Sequence, residues 1–310
     1  MKILVTGGAG FIGSHVVEAY LAAGHQVTVL DDLSTGRRGN VDPRARLVEM
    51  DLADPRVGEL LAAERFELIN HHAAQVSVPL SARDPLADLE TNGRGTLNLL
   101  VAAAQAGVRR VVFISSGGAI YGEQERLPTP EEAPPRPLSP YGVHKLLGES
   151  YLPFFAQAHG LQWVVLRYAN VYGPRQAPHA EAGVVAIFCS ALLAGEQATV
   201  YRYEDMPQGM IRDYVYVEDV VQANLAALNR GTGRVFNIGT GVPTTTLELY
   251  RTVARAVGVE ADPGFGPPRP GDLRRSLLDV SRARRELGWQ PRVSLAEGCR
   301  RTIAWLRGEG

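Results

Sequence analysis

The sequence predicts an α/β protein: a doubly wound parallel sheet carrying a smaller, discontinuous α/β lobe. Three observations predict it. Strand-like and helix-like runs alternate through the first half of the chain. A glycine cluster, Gly7-Gly8-Ala9-Gly10-Phe11-Ile12-Gly13, joins the first strand to the first helix. The second half loses the regular alternation and is broken by proline and glycine. Strands separated by helices imply parallel pairing with right-handed crossovers.

Residues 2–6 form the first strand. Ile12, Val16, Val17, Tyr20 and Leu21 then recur at helical spacing and give the next segment one apolar stripe. Residues 26–30 form a second strand, which ends in Asp31. Segment 46–50 reads as a strand, 57–64 as a short helix and 67–70 as a strand. Segment 85–107 reads as one long helix, with Leu86, Leu89, Thr96, Leu97, Leu100, Val101 and Ala104 along one side. A strand at 110–115, a proline-rich loop over 125–140, a helix at 141–159 and a strand at 163–168 follow. In the second half, 183–195 is helical and 199–203 is a short strand. A strand at 212–217 leads into a helix that runs through Leu228. A strand at 235–239, a helix at 246–257, a loop over 263–271 and two short helices near 282–287 and 295–307 complete the chain.

The glycine turn has a physical purpose. Gly7 lets the chain turn as it leaves the strand, Gly10 keeps side-chain atoms away from an approaching phosphate, and Gly13 allows helix and strand to pack closely. Unpaired N–H groups at the helix start favour an anion. Asp31 stands where a carboxylate accepts hydrogen bonds from an adenosine ribose diol and repels a 2′-phosphate, so NAD is expected rather than NADP, despite Arg37 and Arg38 nearby. The predicted sheet is therefore of the Rossmann type.

Composition narrows the rest. The 310 residues are enough for one large domain or two ordinary ones, and the net charge of −1 gives no broad pull toward nucleic acid or a membrane surface. Cys189 and Cys299 suggest no disulfide framework, which points to a reducing, cytoplasmic setting. No apolar run approaches the ~20 residues of a membrane span. His71-His72 reads as a strand end, and no metal-ligand spacing is present.

Tyr141 and Lys145 stand one helical turn apart and project from one face. A phenol with an ordinary pKa of about 10 is a poor base near neutrality. An ammonium close by and a positive nicotinamide ring would lower it, letting the phenolate take a proton from a sugar hydroxyl.

Together with that pair, Thr6–Gly13, Asp31-Asp32-Leu33-Ser34, Asp51-Leu52, His72-Ala-Ala-Gln75, Asn92, Ser115–Gly122, Ser139–Lys145, Arg167–Arg175, Arg212–Val217, Asn237–Gly241 and Arg269-Pro-Gly-Asp272 resemble the extended short-chain dehydrogenase/reductase superfamily. Within it the likeness is to the UDP-glucose 4-epimerase (UDP-galactose 4-epimerase) family, over almost the whole chain. The resemblance implies Tyr141, Lys145 and Ser116 as catalytic residues. It implies Gly7, Gly10, Phe11, Ile12, Gly13, Asp31, Asp32, Ser34, Asp51, Leu52, Ala73, Ala74, Asn92, Ser115, Tyr141, Lys145 and Tyr168 around NAD. Ser116, Tyr141, Asn170, Arg212, Arg269, Asp272 and Ser276 would meet a UDP-hexose. Ser276 falls where a bulky tyrosine excludes N-acetylated sugars in that family, so UDP-GlcNAc and UDP-GalNAc become expected substrates beside UDP-glucose and UDP-galactose.

Two departures from the family pattern stand out. Gly117 occupies the usual place of the catalytic Ser or Thr, with Ser116 one residue earlier. Segment 201–210 lacks the usual short Gly-Asp-Gly turn. Related dehydratases and decarboxylases carry an acid where this chain has Gly117-Gly118-Ala119-Ile120, so elimination has no obvious catalyst. A UDP-uronate 4-epimerase, another NAD-dependent nucleotide-sugar epimerase or dehydratase, and an NAD-binding regulatory protein remain as alternatives. The expected domains are 1–168 plus about 213–239 for NAD, and about 169–212 plus 240–310 for the nucleotide sugar. A homodimer through helices 85–107 and 141–159 is also implied.

Overall fold

The computed structural model describes residues 1–177, 183–269 and 271–309. Strand β1 (Lys2–Thr6) turns through Gly7 into helix α1 (Phe11–Ala22). Strands β2 (Gln26–Asp31) and β3 (Arg46–Glu49), helix α2 (Arg56–Glu64) and strand β4 (Leu68–His71) follow. A short helix α3 (Val78–Arg83) precedes α4 (Pro85–Asp88). That helix runs on through a π-type segment (Leu89–Gly95) into α5 (Thr96–Gln105). Next come β5 (Arg110–Ser116), the single turn α6 (Gly117–Ile120), α7 (Pro140–His159) and β6 (Gln162–Tyr168). The second half contributes β7 (Asn170–Tyr172), α8 (Val184–Leu193), β8 (Thr199–Tyr201), β9 (Ile211–Arg212), β10 (Tyr214–Tyr216), α9 (Val217–Ala227) and β11 (Arg234–Ile238). It closes with β12 (Thr244–Thr245), α10 (Thr246–Val257), β13 (Gly264–Gly266), a second π-type segment (Ala283–Leu287) and α11 (Leu295–Leu306).

The predicted sheet is present. Seven strands run in the order β11-β6-β5-β4-β1-β2-β3, and every neighbouring pair is parallel. The order reverses direction at β1, so the carboxyl ends of β1 and β4 flank the crevice where ligands bind in such sheets. One face is covered by α1 and α9 through Val16, Val17, Tyr20, Val220 and Ala223. The other is covered by α2, α5 and α7 through Leu61, Leu99, Leu152 and Phe155. A third core gathers Phe188, Val200, Tyr250 and Ile303 from the smaller lobe. From the C-terminal quarter, Leu278, Val280, Leu287 and Trp289 pack into the first core.

Several local readings change. The 212–217 strand is two strands, because the buried Asp213 breaks it: its carboxylate accepts the Thr240 and Gly241 N–H groups at 2.7 and 3.0 Å instead of facing solvent. β9 pairs antiparallel with β12, while β10 pairs parallel with β7. The long helix at 85–107 carries an inserted π-type turn around Asn92, a local widening that side-chain periodicity does not reveal. Within the expected loop 263–271, β13 adds to β8, with Pro270 outside the described residues. Helices α3 and α6 and strands β7 and β12 were too short to give a periodic signal.

Helix α7 holds a firm position. The Ser139 hydroxyl accepts the Gly142 N–H at 3.2 Å, Pro140 occupies the first turn, and Gly160 ends the helix at φ 70°. Its middle lies flat on β5 because Gly148 has no side chain. A methyl group there would stand 2.5 Å from the Phe113 ring carbon Cζ. Gly148→Ala is therefore expected to cost about 1–3 kcal/mol, as an overpacked core site does. Chemical denaturation measures this as a lower midpoint; an unchanged midpoint contradicts the close contact.

Candidate active site

The site lies at the carboxyl ends of β1, β4 and β5. Gly7 adopts φ 68° and sits so close to the next strand end that a Cβ would stand 2.5 Å from the Ala73 nitrogen. Gly13 presses equally closely on the Gly7 carbonyl. Helix α1 begins at Gly10 with no side-chain cap, so its first N–H groups are free for an anion. Ile12 packs toward the first core and Phe11 toward the third, so the turn is gripped from both lobes. At the end of β2, the Asp31 carboxylate accepts N–H groups of Ala9 and Leu33, each at 2.9 Å, and burial pushes its pKa up. Asp32 accepts from the Ser34 hydroxyl at 2.6 Å. An uncapped helix start, a turn that tolerates no Cβ and a carboxylate one strand away fit a dinucleotide.

Other expected cofactor residues occupy varied settings. Asp51 accepts the Ala53 N–H at 2.7 Å on the exposed rim. Leu52 turns its side chain into the second core, and its carbonyl accepts from Asn98 at 2.7 Å. The Ala73 N–H donates to the Thr6 hydroxyl at 3.2 Å, and Ala74 is half-buried beside it. Asn92 uses its side-chain amide within the protein: it accepts the Gln75 N–H at 3.1 Å and donates to the Gln75 carbonyl and Asp88 at 2.9 Å each. The Tyr168 hydroxyl accepts from Asn224 at 2.6 Å and lies 3.3 Å from His72.

Tyr141 and Lys145 face one place from α7, both nearly fully buried. The Tyr141 backbone N–H donates to Ser81 at 3.2 Å. Burial pushes its phenol up to about 12; the Ser116 side chain beside it pulls the pKa back in part, and the Asp88 charge adds to the rise. Lys145 donates to the Ile114 carbonyl at 3.0 Å and lies 5.4 Å from the Phe113 ring centre. Burial lowers its pKa to about 8, against the charges of Asp88 and Glu149. The expected lowering calls on the ammonium together with a nicotinamide ring; in the protein alone the phenol is raised. In the protein alone desolvation outweighs the other influences on Tyr141.

The two neighbouring serines separate cleanly. Ser116 is beside the phenol. The Ser115 side chain instead turns away and donates to Glu149 at 2.6 Å. Glu149 also takes a two-pronged contact from Arg167 at 2.9 and 2.6 Å, and Arg167 reaches the Tyr121 hydroxyl at 2.7 Å. Such a buried pair is costly to break: loss of one partner costs about 3–5 kcal/mol. Neither Glu149 nor Asp88 stands out in the sequence; the clue was spacing, with Glu149 one turn beyond Lys145 and Asp88 one turn before Asn92.

The second lobe lines the opposite side. Asn170 opens β7, and its Oδ1 lies 3.9 Å from where a Cβ on Gly118 would be, as does the Ser116 hydroxyl. Arg212 is half-buried and donates to the Ile211 carbonyl at 3.0 Å. The Ser276 N–H donates to that same carbonyl at 3.0 Å, which ties the two segments together. Two residues on, Leu278 packs against Gly117. The Arg269 guanidinium stacks 4.4 Å from the Tyr201 ring centre, and the Arg269 backbone N–H donates to the Asp272 carboxylate at 3.0 Å. The Tyr203 hydroxyl donates to the Asp272 carbonyl at 2.7 Å. Among the described residues, no cluster of His, Cys, Asp and Glu forms a metal site, and no helix is long and apolar enough to cross a membrane.

A buried phenol, an ammonium and a hydroxyl at a strand end, beside a dinucleotide-shaped turn, can move a proton at a substrate held there. Comparison with known proteins agrees. Residues 3–239 match the NAD dependent epimerase/dehydratase family. A UDP-glucose 4-epimerase of Mycolicibacterium smegmatis is 49% identical over 99% of both chains. A UDP-glucose 4-epimerase from Thermotoga maritima, solved with UDP-glucose, superposes at TM-score 0.96 with 47% identity over 99% of each chain. One from Thermus thermophilus, solved with NAD, gives 0.93 and 48% over 100% of each.

Proposed function

The chain belongs to the NAD dependent epimerase/dehydratase family, and from that premise we propose that it interconverts UDP-glucose and UDP-galactose by inverting C4 of the hexose. The observation that carries this reading is the buried Tyr141 phenol, with Ser116 beside it and Lys145 one turn away on α7. The turn 7–13 and Asp31 would hold NAD, with Ala73 and Ala74 beside them. Bound NAD would supply the reversible hydride acceptor for C4.

The chain's own residues handle the proton and the tether. Tyr141 takes the 4-hydroxyl proton and gives it back after the keto sugar has turned over. Ser116 holds the 4-oxygen near the phenol. General acid–base catalysis of this kind is worth about 10²–10⁴ in rate. Arg212 and Arg269 grip the diphosphate as guanidinium groups grip phosphate oxygens, with Asn170 as a further donor and Asp272 accepting from the ribose. Binding is concentrated at the non-reacting end, so the hexose can rotate between its two faces. The division into an NAD domain (1–168 plus about 213–239) and a sugar lobe (about 169–212 plus 240–310) belongs to the same reading.

The purified protein should equilibrate UDP-galactose with UDP-glucose with no added reductant; absence of turnover in the folded, NAD-loaded protein contradicts the proposal. The small side chain at Ser276 leaves room for an N-acetyl group, so UDP-GlcNAc and UDP-GalNAc should also interconvert. Ser276→Tyr should depress that second activity at least ten-fold more than the first, and equal losses refute the pocket assignment.

We also propose that the protein is a homodimer. Leu97, Val101, Tyr151 and Phe154 line an open groove between α5 and α7, and Phe154 is 59% exposed. An apolar face of this kind marks an association surface. Light scattering after size exclusion should find Phe154→Glu monomeric where the parent chain is dimeric; a dimer in both rules this face out.

A further inference from the structure

One buried carboxylate outside the proposed proton path joins three separate parts of the cleft. Asp88, at the end of α4, is 1% exposed. Its Oδ1 accepts from the Gln75 amide at 2.6 Å and from the Asn92 amide at 2.9 Å. Its Oδ2 meets the His144 Nδ1 at 2.5 Å. Gln75 lies within the loop that follows β4, Asn92 lies in the π-type segment, and His144 sits on α7 directly before Lys145.

The surrounding groups are few. Tyr141, His144 and Lys145 face it from α7, with Glu149 a turn further on. Ser81 of α3 accepts the Tyr141 N–H. Glu90 and Arg94 of the π-type segment pair with each other at the surface. A buried carboxylate with three donors is a rigid joint: releasing His144 leaves Oδ2 desolvated without a partner, and releasing Gln75 or Asn92 leaves Oδ1 with one donor in place of two.

We infer that Asp88 is a positioning residue. Its carboxylate fixes the height of the Tyr141–Lys145 face of α7 relative to the loop 73–77, which would carry the cofactor. The inference rests on the epimerase reading for its catalytic consequence, though not for its geometry. Gln75 and Asn92 tie the loop to the carboxylate, and His144 ties the helix to it. The same negative charge favours the ammonium form of Lys145. The π-type turn has a purpose in this arrangement: it swings Asn92 inward, on the side of Asp88 that the loop occupies.

Three variants test this. Asp88→Asn keeps the size and one acceptor but removes the charge. It should lower kcat at least ten-fold and leave KM for UDP-galactose within two-fold, with the circular dichroism of the parent. His144→Leu should lose kcat to a similar extent. His144→Asn, whose amide N–H stands where the Nδ1–H was, should recover most of that loss. Independently of activity, acetic anhydride labelling read at Lys145 by mass spectrometry should titrate near 8 in the parent and at lower pH in Asp88→Asn. A kcat within two-fold of the parent, or a Lys145 midpoint that does not move, overturns the inference. If Asp88→Asn fails to fold, the two His144 variants decide it by whether asparagine recovers what leucine loses. A parent chain that does not epimerise at all would fail the function reading, and the labelling would still decide the role of Asp88.

Discussion

Helix α7 rests directly on strand β5, and the whole cleft is set out from that contact. Gly148 lets the helix touch the Phe113 ring. Lys145 reaches the Ile114 carbonyl of the strand, and the Ser115 hydroxyl reaches back to Glu149 of the helix. Arg167, from the next strand, completes the buried pair with Glu149. These contacts fix how far the phenol stands above the strand end and which serine meets it. With Ser115 engaged by Glu149, Ser116 alone is left to face the reactive side chain.

The same burial creates the electrostatic problem that the proposed chemistry has to solve. Inside the cleft the phenol lies near 12 and the ammonium near 8, both moved toward their neutral forms. A base working near neutrality therefore needs a downward shift of ~5 units, about 7 kcal/mol at 1.36 kcal/mol per unit. One positive charge 4 Å away supplies about 4 kcal/mol at an effective dielectric of 20. Lys145 alone falls short even at that distance. The positively charged nicotinamide ring of bound NAD would be the second charge, tying proton abstraction to cofactor binding.

Much of this was legible in the sequence because it rests on local rules. The glycine turn, the strand-end Asp31 and the Tyr141–Lys145 spacing each follow from one element and its immediate neighbours. The alternation of apolar runs sufficed for the parallel sheet. What stayed hidden depends on contacts between distant segments. Asp213 breaks a strand because Thr240 and Gly241 bring donors to it from another part of the chain. The π-type turn at Asn92 answers to Gln75 and Asp88 rather than to its own periodicity. The raised pKa of the phenol in the protein alone depends on burial by distant segments, which spacing along a helix does not reveal. Leu52, Ser115 and Asn92 carry motif positions, yet their side chains hold the protein together instead of lining open space.

The central claim is that a buried phenol becomes a usable base only when positive charge enters beside it. Ultraviolet difference titration of tyrosinate measures this directly, with a Tyr141→Phe protein subtracted to isolate the one ring. The account predicts a midpoint near 12 in the NAD-free protein and one several units lower with NAD bound. A phenol that titrates at the same pH in both states would contradict it.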